Sequence, residues 1–274
     1  MPAISTSFNR YLLILLLQLL MIGTARSQFP VLSDTQLEWL GDRIFQNECN
    51  SRFECLTSWN QAEDFPSLGI GHFIWYRAGQ YEVFSETFPA LLEHYHDTGL
   101  RLPDWIEALP NADSPWQSRQ QFYAEINSAE MQSLRQFLAD TTSVQVDFIV
   151  AKLLDSVPSI LSEVSDSQHQ AITSTLYHIG QSHPPYGIYA LIDYLHFKGT
   201  GVDKNERYGG QAWGLLQVLQ QMQGATVTLE SFVASAAIVL ERRVANAPLE
   251  RDEQRWLPGW KNRLLTYLPP AVEQ

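Results

Sequence analysis

Apolar residues recur at helical spacing over most of this chain. Leu37, Leu40 and Ile44 follow one another at steps of three and four, the period at which one face of an α-helix meets a core. Asp34 stands just ahead of this run and is placed to cap it, because a short acidic side chain accepts from the first free amides of a helix. The amphipathic segment 39–48 closes on Glu48. Residues 49–66 carry Asn, Ser, Asp and Pro and read as loop. The period then changes. Gly69-Ile70-Gly71 before Phe73-Ile74-Trp75-Tyr76 predicts a short β-hairpin, since glycines permit turns and aromatics favour strands.

Helical patterning resumes afterwards. Residues 88–95 and 116–126 read as helices on either side of the proline-bearing stretch 102–115. Residues 128–139 continue into 144–154, with Pro158 near the end. Residues 168–179 carry apolar side chains at 171, 172, 176 and 179. Gly180 is the expected stop, with Pro184-Pro185 beyond. Helices over 186–197, 210–222, 229–244 and 260–268 complete the pattern. No repeat, low-complexity tract or linker interrupts it. The predicted fold class is mainly α (α+β): one helical domain over residues 28–274 with a small β-hairpin lobe.

The first 27 residues have a different character. Arg10 precedes an apolar run of 13 residues, 11–23, and small residues follow at Ala25 and Ser27. A basic start, a hydrophobic middle and small residues at a cleavage point form the pattern of a signal peptide. A membrane anchor is the alternative, but the run falls short of the roughly 20 residues that cross a bilayer. Removal of 1–27 leaves 16 basic against 30 acidic residues, a net charge of −14. Such a chain is not expected to bind nucleic acid or an anionic membrane surface. A periplasmic or secreted, monomeric protein with no membrane association after cleavage is the expectation.

Export changes the reading of Cys49 and Cys55, the only cysteines. In an oxidising compartment they are expected to pair and close a short loop after Glu48; two free thiols are the alternative. No histidine pair lies nearby at ligand spacing, so no metal is expected. Ser/His/Asp chemistry has no Gly-x-Ser-x-Gly elbow to work from, a paired cysteine is no nucleophile, and phosphate loops and dinucleotide fingerprints are missing. No cofactor is expected.

Glu48 followed by Ser67-Leu68-Gly69-Ile70-Gly71-His72 resembles the phage-type (endolysin) lysozymes. In that family a helix ending in the catalytic glutamate leads into a hairpin with a Thr-x-Gly-x-Gly-His-like sequence; here serine keeps the hydroxyl. The stretch 171–180, ending Ile179-Gly180, is similar to the family's core helix. Ala190-Leu191-Ile192 falls where another helix is expected. Leu257-Pro258-Gly259-Trp260-Lys261-Asn262-Arg263 is similar to its C-terminal signature. Residues 77–165 exceed the family pattern and read as a helical insertion or divergent segment. Where the family places its aspartate, this chain has Gln61, with Glu63 and Asp64 displaced toward the hairpin.

The resemblance implies a lysozyme-like domain acting on peptidoglycan or a related glycan. Glycosidic cleavage needs a proton for the leaving oxygen and support for an oxocarbenium-like transition state. Apolar neighbours disfavour the charged form of a carboxyl, and Glu48 follows Ile44 and Phe45, so it is the candidate general acid; an ordinary helix-end acid is the alternative. Glu63 or Asp64 would direct a water, or simply form a solvated loop pair. Ser67 would assist, or hydrogen-bond its own turn. Gly69 and Gly71 serve turn geometry and close approach of a sugar ring. His72 reads as a structural hydrogen-bonder. Trp59 and Asn60, in a polar loop, are candidate substrate contacts, whereas Phe73 reads as core. Tyr208 and Gln211 are candidates for N-acetyl groups, against a plain capping role. The sequence Gly214-Leu215-Leu216-Gln217 is superficially similar to lytic transglycosylases, but lies far downstream of Glu48. Hydrolysis of β-1,4 linkages, single-glutamate lytic transglycosylation and glycan binding without turnover all remain open.

Overall fold

The computed structural model describes residues 29–82 and 84–270; the expected signal segment, 1–27, lies outside them. The described residues are 59% helix with one three-stranded antiparallel sheet, so the α+β expectation holds. It divides into two compact units. One comprises residues 33–156 and 192–199, the other 29–32, 157–191 and 200–270.

The first unit opens with α1, Asp34–Cys49. Its cap is Ser33, not Asp34. The Ser33 hydroxyl accepts from the Gln36 N–H (3.3 Å), and the Gln36 side-chain oxygen accepts from the Ser33 N–H (3.0 Å). Asp34 instead sits in the first turn, where its charge meets the positive end of the helix dipole. Leu40, Ile44 and Cys49 are buried, as the apolar period requires. Asn50 ends the helix in the left-handed conformation (φ 49°).

The stretch expected as loop folds further than its composition foretold. A 3-10 turn spans Phe53–Leu56 and β1 spans Thr57–Ser58. Leu56 and Thr57 are buried. Arg135 Nε donates to the Thr57 hydroxyl (2.8 Å), so a polar side chain is satisfied inside the core. β2 (Ser67–Leu68) pairs with β1 through Thr57↔Leu68 and Ser58↔Ser67. It pairs with β3 (Phe73–Ile74) through Ser67↔Ile74 and Leu68↔Phe73.

The hairpin is therefore present where the glycines placed it, with residues 69–72 as its loop. The His72 N–H donates to the Gly69 carbonyl (3.3 Å). Both residues have positive φ, 70° at Gly69 and 47° at His72, and the latter is costly for a residue with a Cβ.

Five helices follow: α2 (Phe88–Asp97), α3 (Asp104–Glu107), α4 (Arg119–Ala124), α5 (Ala129–Asp140) and α6 (Thr142–Ser162). α5 does not continue into α6. At Thr141 the hydroxyl donates to the Phe137 carbonyl (2.7 Å) and meets the Tyr95 hydroxyl (2.8 Å), and this side chain holds the break. Pro158 lies inside α6 and near its end. A run of edge-on aromatic contacts ties these helices to the sheet: Trp75–Trp116 (5.7 Å), Trp116–Phe122 (4.9 Å) and Trp59–Phe122 (5.8 Å).

In the second unit, α7 covers Asp166–Gln181, α9 Leu215–Gln221, α10 Leu229–Asn246 and α11 Leu257–Leu265. α8, Tyr186–Lys198, contributes residues 186–191 here and 192–198 to the first unit. α10 packs against both α9 and α11 over Phe232, Ala236, Val239 and Leu240, all fully buried. Gly180 does not stop α7, which runs on to Gln181. A Cβ at Gly180 would stand 2.9 Å from the Phe29 ring, so the glycine serves close approach. α9 starts at Leu215, later than expected, because Tyr208 and Gln211 form a β-bridge first.

Candidate active site

The C-terminal turn of α1 delivers Glu48 beside the hairpin loop. Its side chain is 16% exposed, and its Oε2 lies 3.7 Å from His72 Nδ1. The next residue, Cys49, is bonded to Cys55 (Cα–Cα 5.6 Å), so the expected disulfide is present. His72 Nε2 approaches both sulfurs, at 3.5 Å from Cys49 and 3.4 Å from Cys55. A disulfide sulfur has lone pairs but no hydrogen. Nε2 can hydrogen-bond to the sulfurs only as a donor, and Nδ1, the other ring nitrogen, faces the Glu48 carboxyl at 3.7 Å. Burial holds the His72 imidazolium below its ordinary range and His196 adds to this, while Glu48 opposes it. The ring is a neutral spacer between the acid and the bridge. Its left-handed backbone puts it there.

The sulfurs of Cys49 and Cys55 and a His72 nitrogen lie within 4.8 Å of one another. Joined as a disulfide, the sulfurs are not thiolates, and this trio lacks the anionic donors a soft metal takes.

Two further contacts fix the site. Asn47 Nδ2 donates to Asp193 Oδ1 (3.0 Å), an acid only 2% exposed, which ties the end of α1 to residues 192–199. Fully buried Gln145 accepts from the Ile70 N–H (2.9 Å) and donates to the Leu138 carbonyl (2.7 Å), which pins the hairpin loop to α6. No local motif marks Asn47, Gln145, Asp193 or His196 as site residues. Gln145 is 75 positions from Ile70 and Asp193 is 146 from Asn47, so their roles exist only in the folded chain.

The other expected residues are distributed unevenly. Ser67 sits in the central strand, 9% exposed, its carbonyl accepting from the Ser58 hydroxyl (3.3 Å). The Glu63 carbonyl accepts from the Trp59 indole N–H (2.7 Å), and burial pushes the Glu63 carboxyl above the usual range. Asp64 is exposed, and its carbonyl accepts from Gln80 Nε2 (3.0 Å). Asn60 is exposed and its side chain accepts from the Ala62 N–H (3.3 Å), a turn-forming bond.

Trp59 is buried (3% exposed) rather than displayed on a polar loop. Its neighbours Thr57, Ser58 and Asn60 are polar, but Phe122 covers the ring and Glu63 satisfies its N–H. Gly69 and Gly71 are buried as well. A Cβ at Gly69 would run into the Gln145 amide, and one at Gly71 would stand 2.6 Å from the Phe73 ring, so the close approach they permit is to the protein's own side chains. In the second unit, Tyr208 OH donates to Glu253 Oε1 (3.0 Å) and its ring lies against Trp213 (4.6 Å). That hydroxyl is committed to the fold. Gln211 is exposed.

No protein-family model, curated protein or solved structure matches this chain. Among the described residues no helix is long and apolar enough to cross a membrane.

Proposed function

We propose that this protein is an exported lysozyme-like glycosidase that cleaves the β-1,4 backbone of peptidoglycan, with Glu48 as proton donor. The observation that carries this reading is the setting of Glu48: 16% exposed, on the last turn of a helix, against a glycine-turned hairpin whose His72 ring stands 3.7 Å away. Glu48 protonates the leaving glycosidic oxygen as the anomeric C–O bond breaks. The disulfide and the Asn47–Asp193 bond hold the helix end against displacement. Position matters because proton delivery works only within hydrogen-bond reach of the oxygen.

One observation bears on the group that completes the reaction. The position of the expected aspartate holds Gln61, an amide that cannot take a proton from water. This supports a single-glutamate route as the second reading. There a hydroxyl of the substrate attacks the anomeric carbon and returns its proton to Glu48, as in lytic transglycosylation. Mass spectrometry of purified cell-wall sacculi after digestion distinguishes the outcomes. Reducing-end muropeptides support hydrolysis and anhydro-muropeptides support the single-glutamate route. Sacculi that bind the protein but release no product would replace both with glycan binding.

A further inference from the structure

The second unit carries an arginine pair whose members have opposite fates. Arg242 and Arg243 are adjacent on α10 and so point about 100° apart. Arg243 reaches Glu253 through two bonds, 2.7 and 2.8 Å, and its guanidinium lies 4.1 Å from the Trp213 ring. Arg242 makes no ion pair with any described residue. Its Nε is shielded from solvent yet meets no hydrogen-bond partner among the described protein groups. A shielded, charged donor left in this way calls for an acceptor.

Arg242 lines a cavity of about 260 Å³ with Arg207, Gln211, Gln217 and Gln220. The Arg207 guanidinium makes no ion pair among the described residues either. No acidic residue lines the cavity, in a chain that holds 30 acidic against 18 basic residues. Gln217 frames the wall: its oxygen accepts from the Gly214 N–H (2.9 Å) and its amide donates to the Gly201 carbonyl (3.1 Å). Gln211 and Gln220 are exposed and leave their amides available. Guanidinium groups offer donors in a planar fork and no acceptor, which matches the paired oxygens of a carboxylate or phosphate.

We propose that the Arg207–Arg242 cavity binds the oxyanion group, carboxylate or phosphate, of a small ligand or of a side group on a larger one. This does not rest on the glycosidase reading. Its volume suits a head group rather than a whole drug-sized molecule.

Calorimetric titration of the full chain with inorganic phosphate and, separately, with acetate, at constant ionic strength, is the test. Saturable one-to-one binding of at least one probe is expected. Arg207→Gln and Arg242→Gln should each weaken it by about tenfold or more. Arg101→Gln, which removes an exposed arginine of the other unit, should leave it unchanged. The preferred probe identifies the ligand class. Absence of saturable binding with both probes, or equal binding by wild type and Arg207→Gln, would overturn the proposal. Should Arg242→Gln fail to fold, the variant at partly exposed Arg207 is sufficient to decide the matter.

Discussion

His72 is the residue on which local conformation and site chemistry meet. Its left-handed backbone (φ 47°) is costly, and the ring it orients touches both disulfide sulfurs and faces Glu48. Burial lowers its folded proton affinity below the ordinary value of 6.5. The unfolded chain therefore binds this proton more readily than the folded one. The stability His72 contributes is present above about pH 6.5 and is lost as pH falls through the lower folded value. Asparagine tolerates left-handed backbone but does not titrate. Thermal melts of wild type and His72→Asn should therefore diverge in slope on the acid side, the variant declining less between about pH 7 and 5. Parallel declines would show that His72 is not held neutral.

At the scale of elements, the hairpin depends on a residue outside it. Gln145 joins the Ile70 amide to the Leu138 carbonyl from a fully buried position. Replacement by leucine leaves both groups unpaired, a loss of about 1–3 kcal/mol for each buried group. Urea unfolding should show Gln145→Leu destabilised within that order, and an unchanged midpoint would contradict the pinning role. This dependence also marks what the sequence discloses. The Gly69–Gly71 turn, the helical period of α1 and the cysteine pair at 49 and 55 are local patterns, and each is readable in the sequence alone. Gln145, Asn47 and Asp193 act across many tens of residues and carry no local signature. Composition misled where polar side chains are satisfied internally, as at Thr57 and Trp59. Gly180 misled because a glycine that admits Phe29 looks the same in sequence as one that ends a helix.

For the whole molecule, the net charge of −14 expected once residues 1–27 are removed works against an acidic polymer substrate. Like charges repel over roughly a Debye length, about 30 Å at 0.01 M salt and 8 Å at 0.15 M. Cell-wall turnover should therefore rise as ionic strength increases over that range. A rate that falls with salt would show that a local basic surface, not the net charge, governs the encounter. The helical fold with its small sheet was legible in the alternation of periods. The division into two units was not, since it falls within α6 and α8, where the apolar pattern runs on without a break.

The most direct measurement is the rate at which purified peptidoglycan is cleaved by wild type and by Glu48→Gln, with matched melting curves to establish equal folding. A glutamine keeps the shape and cannot give up a proton. A loss of at least about a hundredfold is expected in the variant. Equal rates in the two proteins would contradict it.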